Sequence, residues 1–87
     1  MVRLDKVLDH LLLQLRSEGD VGLPAAPEAL ARAITAPEVP ITSRRAAQVE
    51  ELATDCCYAA TKGDRIRITH IGLTRLERLY PELAMAH

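Results

Sequence analysis

The sequence predicts one domain of the α+β class, mostly α-helical with a small β-hairpin. Three observations support this prediction. The chain of 87 residues is long enough for a single domain, residues 1–87. Apolar residues recur at helical spacing in several separate stretches. From Arg65 to Thr69, by contrast, charged and apolar residues alternate with the period of a strand, and helical spacing returns after Thr69.

The first predicted helix occupies residues 1–17, with Arg3 near its start. One face is apolar and consists of Leu4, Val7, Leu8, Leu11, Leu12 and Leu15. The other face is mainly polar and consists of Arg3, Lys6, Asp9, His10 and Arg16. Leu13 lies beside the apolar face, which leaves two interpretations: a broad face buried within the domain, or a face that also packs on a second copy. We assign the candidate dimer interface to Leu8, Leu12 and Leu13.

Residues 27–55 are predicted to form two helices joined by an extended connection. Pro27 suits the first position of a helix, which ends before Pro37 because the residue preceding a proline disfavours the helical region. The connection at Glu38–Ile41 allows at most a short edge strand, since Pro40 has no backbone donor.

The third helix is predicted from about Ser43 to Thr54, with Thr42 or Ser43 as its cap. Its inward face consists of Ala46, Val49, Leu52 and Ala53. The residues facing outward near its start are Ser43, Arg44, Arg45 and Gln48.

Residues 56–69 are predicted to form the hairpin, with strands at Cys56–Thr61 and Arg65–Thr69 and a turn at Lys62-Gly63-Asp64. Neighbours in a strand point to opposite faces, so Cys56 and Cys57 suit neither a disulfide nor a metal clamp.

Thr69 is expected to cap the last helix, residues 70–80, and Gly72 to let that helix approach its neighbours closely. Pro81 is expected to end or kink the helix. Leu83 and Met85 are expected to cover the core, and Ala86-His87 to be frayed.

This order of helices, extended piece and hairpin resembles a winged helix-turn-helix domain of the MarR/PadR-like type found in bacterial or phage regulators. The resemblance covers about Pro27 to Tyr80. Such regulators often end their wing with leucine or isoleucine, a threonine, two variable residues and a glycine, followed by a leucine and an acidic residue. The corresponding residues here are Ile68, Thr69, Gly72, Leu76 and Glu77.

The resemblance implies that the third helix enters the major groove of DNA and that the hairpin contacts the backbone or minor groove. The residues implied to bind DNA are Ser43, Arg44, Arg45, Gln48, Lys62, Arg65 and Arg67. Arginine can bind guanine, and glutamine adenine, through paired hydrogen bonds. Two other interpretations remain: Arg44 and Arg45 as a solvated helix start, and Arg65 and Arg67 as a charged strand face that prevents edge pairing.

Nothing in the sequence predicts a cofactor, a metal site or an enzyme. His10, His70 and His87 are dispersed and join no cysteine in a zinc pattern. There is no Gly-rich phosphate loop and no nucleophile elbow. No apolar run is long enough for a membrane span and no signal peptide is evident, so we expect a cytoplasmic protein.

The sequence therefore predicts a small dimeric transcriptional regulator that binds specific double-stranded DNA. The alternative is a module of the same fold that binds a protein partner instead of DNA. The net charge of −1 favours this alternative, because DNA-binding domains are usually basic. A third possibility is a five-helix bundle without the hairpin.

Overall fold

A computed structural model describes residues 3–84 of the chain and shows a mostly helical α+β fold with a small antiparallel sheet. The helices are α1 (Leu4–Glu18), α2 (Pro27–Ile34), α3 (Ser43–Asp55), α4 (His70–Leu79) and α5 (Pro81–Ala84). The strands are β1 (Leu23–Pro24), β2 (Ala59–Lys62) and β3 (Arg65–Ile68). A single 3-10 turn, Gly19–Val21, follows α1. The α+β class and the hairpin are confirmed. The expectations for Met85, Ala86 and His87 lie outside the described residues.

The sheet has the strand order β1-β3-β2, with both pairs antiparallel. The strand that the sequence pattern identified most clearly, β3, is therefore central. Leu23 of β1 pairs with Ile66, and Pro24 with Arg65. The sequence pattern does not reveal β1, because two residues are too few to show a period.

The connection between α2 and α3 contains no strand within Glu38–Ile41, where the sequence allowed at most a short edge strand. It contains instead an isolated bridge between Ala36 and Val39, with backbone hydrogen bonds of 3.0 and 3.1 Å. The hydroxyl of Thr35 accepts a hydrogen bond from the backbone N–H of Ile41 at 2.7 Å. These hydrogen bonds satisfy the backbone groups of Ala36, Val39 and Ile41 without the ladder of a strand.

The first strand of the hairpin is shorter than predicted. Cys56 and Cys57 are not strand residues on opposite faces but exposed residues of the turn that ends α3. The N–H of Tyr58 donates to the carbonyl of Ala53, and that of Cys57 to Thr54, which is the Schellman pattern of a helix C-terminus. The local turn satisfies these backbone groups, so strand pairing begins only at Ala59.

The core lies between the helices α1 to α4 and the sheet. Leu8 and Leu12 are buried in it, at 3% and 0% exposure. Their assignment to a dimer interface is corrected, because side chains enclosed by one chain offer no surface to a second. Leu13 is half-buried and packs against the same core. Of the two interpretations of this helix, the broad buried face accounts for these leucines.

The position of Asp9 also differs from the prediction. It was placed on the polar face of the first helix, yet it is 7% exposed. Its carboxylate is covered by α4, from which Arg75 reaches it. A helical pattern cannot show this, because the covering residue lies 66 positions later in the chain.

The start of α4 agrees with the sequence. The hydroxyl of Thr69 accepts a hydrogen bond from the N–H of Gly72 at 3.1 Å, which confirms the cap. A Cβ on Gly72 would lie 2.8 Å from Cγ1 of Ile68 and closer still to the carbonyl oxygen of Tyr58. The close approach expected at Gly72 is therefore confirmed. Pro81 begins the separate short helix α5.

None of the helices within residues 3–84 combines the length and the apolar character that crossing a membrane requires.

Candidate nucleic-acid interface

The N-terminal half of α3 presents polar side chains to solvent, as predicted. Thr42 caps the helix by accepting a hydrogen bond from the N–H of Arg45 at 3.2 Å. Ser43, Arg44 and Gln48 are exposed. The side chain of Arg45 is half-buried, so it is the least available of the four residues predicted on this helix. Ala46, Val49 and Ala53 are buried, and they fix which face of the helix points outward.

The charge on the exposed face of α3 changes from positive to negative along the helix. Arg44 and Gln48 occupy the first two turns, and Glu51 and Asp55 follow on the same face at helical spacing. All four are exposed. A polyanion can therefore approach only the start of this helix without meeting negative charge.

The three basic residues of the hairpin lie on one face of the sheet. Lys62 pairs with Arg65 across the strands, and Arg67 pairs with Ala60. Paired residues of an antiparallel ladder point to the same side, so Lys62, Arg65 and Arg67 share the face opposite the buried Ile66. Lys62 is exposed, whereas both arginines are half-buried.

Arg65 has a structural role in addition to any role in binding. Its Nε donates to the carbonyl of Val21 at 3.2 Å, and one terminal nitrogen donates to the carbonyl of Gly22 at 3.1 Å. These bonds attach β3 to the segment that follows α1. A guanidinium that already satisfies two carbonyls has fewer N–H groups left for phosphate.

Arg67 and Lys62 line an open groove of about 570 Å³ beside the hairpin. Arg16, at the end of α1, is a third basic residue of this groove, and Asp20 is its acidic member. We call it the basic groove. The sequence did not indicate Arg16, because its distance in the chain from the hairpin hides their proximity. Arg44 and Gln48 do not line this groove.

A partly buried ion pair connects α1 to α4. A terminal nitrogen of Arg75 donates to Oδ1 of Asp9 at 3.1 Å, and the guanidinium lies 5.0 Å from the centre of the Tyr58 ring. Burial lowers the pKa of Arg75, but the hydrogen bond and charge of Asp9 together with Tyr58 more than offset this, so the pKa lies above its ordinary value. Nε of Arg75 is buried without a hydrogen-bond partner among residues 3–84.

A second surface lies along α4 above this ion pair. Ile71 and Leu79 are large apolar side chains with 53% and 49% exposure. They border a shallow groove of about 420 Å³ whose other lining residues are Tyr58, His70, Thr74, Arg75 and Arg78. We call this the α4 surface. The sequence pattern did not single it out, because both apolar residues fit the helical period of a core face.

The two histidines within residues 3–84, His10 and His70, each have their own local surroundings. Nε2 of His10 donates a hydrogen bond to the carbonyl of Ile34, which connects α1 to the end of α2. His70 begins α4 and lines the α4 surface. No group of three or more His, Cys, Asp or Glu side chains in the described part of the chain is placed to hold a metal ion.

Comparison of the chain with protein-family models, with curated proteins and with solved structures found no significant match.

Proposed function

We propose that this chain is a winged helix-turn-helix domain, similar to regulators of the MarR/PadR type, that binds double-stranded DNA. The observation that carries the proposal is the position of its exposed polar and basic residues. They occur at the start of α3 and in the basic groove beside the hairpin. These are the two elements through which the resemblance implies DNA contact. Pairing of β1 with β3 supports the proposal, because it joins the hairpin to the helical body.

The two groups of residues have different roles in this proposal. Arg44 and Gln48 read base edges, since residues near the start of a recognition helix reach them. Lys62, Arg67 and Arg16 contact phosphates, which fixes the orientation of the protein without reading sequence. Glu51 and Asp55 limit insertion of α3 to its first turns.

The proposal includes a cytoplasmic homodimer that reads two half-sites one helical turn apart, about 34 Å. Its subunit contact has to lie elsewhere than Leu8 and Leu12, which the core of each chain encloses. Sedimentation equilibrium measures the mass of the assembly directly. A chain that stays monomeric with and without duplex DNA would remove the dimer from the proposal.

Duplex binding across a salt series tests DNA binding itself. We first select duplexes from a random pool and then measure affinity by fluorescence anisotropy. Each phosphate contact contributes about one to the slope of log K against log salt, so Lys62→Ala should reduce that slope by about one. Arg44→Ala should weaken binding by about 1–3 kcal/mol and relax base preference. Arg3→Ala is the matched control, because this exposed arginine lies outside both groups.

Two results would contradict the proposal. One is the absence of a selected sequence and of measurable binding at low salt. The other is an equal loss of affinity in Arg3→Ala and Arg44→Ala. The loss would then follow from the lower positive charge of the protein and not from a contact made by Arg44.

A second candidate function is supported by the α4 surface, where Ile71 and Leu79 are half exposed. Exposed apolar side chains beside charged ones are typical of sites that bind proteins. Arg78 is exposed on this surface, whereas the charge of Arg75 is already paired with Asp9. Charge complementarity therefore favours an acidic segment with apolar residues at helical spacing as the occupant.

Panning of a helical peptide library against the wild-type chain tests this candidate, with Ile71→Ser as the counter-selection. We expect recovered peptides to combine acidic and apolar residues and to lose binding to Arg78→Glu. If the counter-selection with Ile71→Ser removes every peptide that binds the wild type, the α4 surface is not the site.

A further inference from the structure

Cys56 and Cys57 are two adjacent free thiols, both exposed, in the turn between α3 and β2. Neighbours in a strand point to opposite faces, but Cys56 and Cys57 do not lie in a strand. Cys56 has φ −86° and ψ 2°, and Cys57 has φ 62°, so the chain turns tightly at this point instead of extending. The two side chains therefore leave the same turn of backbone.

Cys57 occupies a position that ordinarily favours glycine. It is the left-handed residue of the Schellman motif, where the Cβ of any residue other than glycine is disfavoured. Among the described non-glycine residues, Cys57 alone has a positive φ. Backbone strain of this kind is concentrated at functional sites.

The surrounding hydrogen bonds hold the strained turn in place. The N–H of Cys57 donates to Thr54 at 3.1 Å, and the N–H of Tyr58 donates to Ala53 at 2.8 Å. The hydroxyl of Thr69 donates to the carbonyl of Cys57, so the cap residue of α4 also fixes the turn. The backbone that carries both thiols is thus restrained from two helices.

We propose that Cys56 and Cys57 form a chelating site for a soft, thiophilic centre with two exchangeable positions, of the class of monosubstituted trivalent arsenicals. Cα atoms joined by a trans peptide lie about 3.8 Å apart, which is shorter than the usual range of about 4.4–6.8 Å in disulfides. A direct disulfide is therefore strained. Insertion of one arsenic atom lengthens the bridge, and trivalent arsenic binds two sulfurs at close to a right angle, which suits neighbouring thiols.

The reaction is an exchange of ligands without oxidation. Each thiol gives up its proton, two arsenic–sulfur bonds form, and two arsenic–hydroxyl bonds break. Two water molecules leave, and arsenic stays trivalent. Its carbon substituent keeps the third position, so two protein donors complete the site.

Phenylarsonous acid is the probe, added to the reduced full chain and followed by intact-protein mass spectrometry. We expect one phenylarsenic group per chain, with loss of both thiol hydrogens, retained in a large excess of glutathione. Cys56→Ser and Cys57→Ser should bind the probe at least about tenfold more weakly, a difference of about 1.4 kcal/mol. Two groups per chain would overturn the proposal, and so would equal retention by either serine variant.

Thermal unfolding tests whether the folded turn, and not merely two adjacent cysteines, forms the site. A ligand raises the unfolding midpoint only when it binds the folded state more tightly than the unfolded chain. We expect a higher midpoint for the wild-type adduct and no change for Cys56→Ser treated in the same way. An unchanged or lower midpoint of the wild-type adduct would refute the role of the turn. Circular dichroism establishes beforehand that the serine variants are folded.

Discussion

Gly72 offers a sharp test of how α4 is positioned. The substitution Gly72→Ala adds one methyl group at a point where ideal geometry places it 2.8 Å from Cγ1 of Ile68 and nearer still to the carbonyl oxygen of Tyr58. Ordinary contact begins at about 3.4 Å, so Ile68 has to move by at least about 0.6 Å and the Tyr58 backbone by more. The same carbonyl accepts the N–H of Thr69 at 3.0 Å, so a shift of α4 also strains the start of the helix.

Opposing contributions to the free energy of unfolding determine how much Gly72→Ala changes the stability. Overpacking costs about 1–3 kcal/mol, and a weakened hydrogen bond costs about 1 kcal/mol. Alanine gains about 1 kcal/mol over glycine in a helix. We therefore expect Gly72→Ala to lower the free energy of unfolding by about 2 kcal/mol. In a domain of this size that corresponds to a fall of about 10 °C in the midpoint of thermal unfolding.

Urea and thermal unfolding followed by circular dichroism measure this change. Gly63→Ala is the control, because a Cβ there has no neighbour within 4 Å and its only cost is the positive φ of 63°. It should lose about 1 kcal/mol through the left-handed conformation alone. A Gly72→Ala variant as stable as wild type, or more stable, would refute the close approach of α4 to Tyr58.

Three further substitutions test individual interactions by the same unfolding measurements. Asp9→Asn should cost about 2 kcal/mol, because Arg75 keeps its charge in a partly buried place without its carboxylate; a loss below about 0.5 kcal/mol would show that the pair is solvated. Cys57→Gly should add about 1 kcal/mol by relieving the left-handed residue, whereas any loss would contradict that conformation. Burial raises the pKa of Glu50, so protonation favours the folded state and this contribution is lost as pH rises through the folded pKa. Glu50→Gln should therefore be more stable than wild type at pH 7 and lose that advantage at low pH; an advantage independent of pH would exclude the carboxylate as its cause.

The agreement between sequence and structure is best where the signal is local. The change of period at Thr69 predicted a strand followed by a capped helix, and β3, the Thr69 cap and α4 are found there. Period and capping depend on neighbours within a few residues, so they are visible in the sequence itself. The close approach at Gly72 was also predictable, because glycine weakens a helix by about 1 kcal/mol relative to alanine and a tight contact is a common reason for its presence there.

The disagreements occur where backbone hydrogen bonds, and not the pattern of side chains, decide the outcome. Cys56 and Cys57 resembled the start of a strand, but the hydrogen bonds of the α3 terminus formed a turn instead. β1 has only two residues and exists because β3 pairs with it. Neither result follows from propensity: β1 depends on a partner elsewhere in the chain, and the turn places Cys57 in the left-handed conformation that ordinarily favours glycine.

For the candidate site, the residue types and the exposed start of α3, where Arg44 and Gln48 face solvent, could be predicted from the sequence alone. Only the folded chain shows which basic side chains also support the fold. Arg65 is bonded to two carbonyls, and Arg16 joins the hairpin from the end of α1. Asp9, placed on the surface by its helical position, is the partner of Arg75. Periodicity assigns a face to each side chain, whereas burial and pairing depend on what packs against that face.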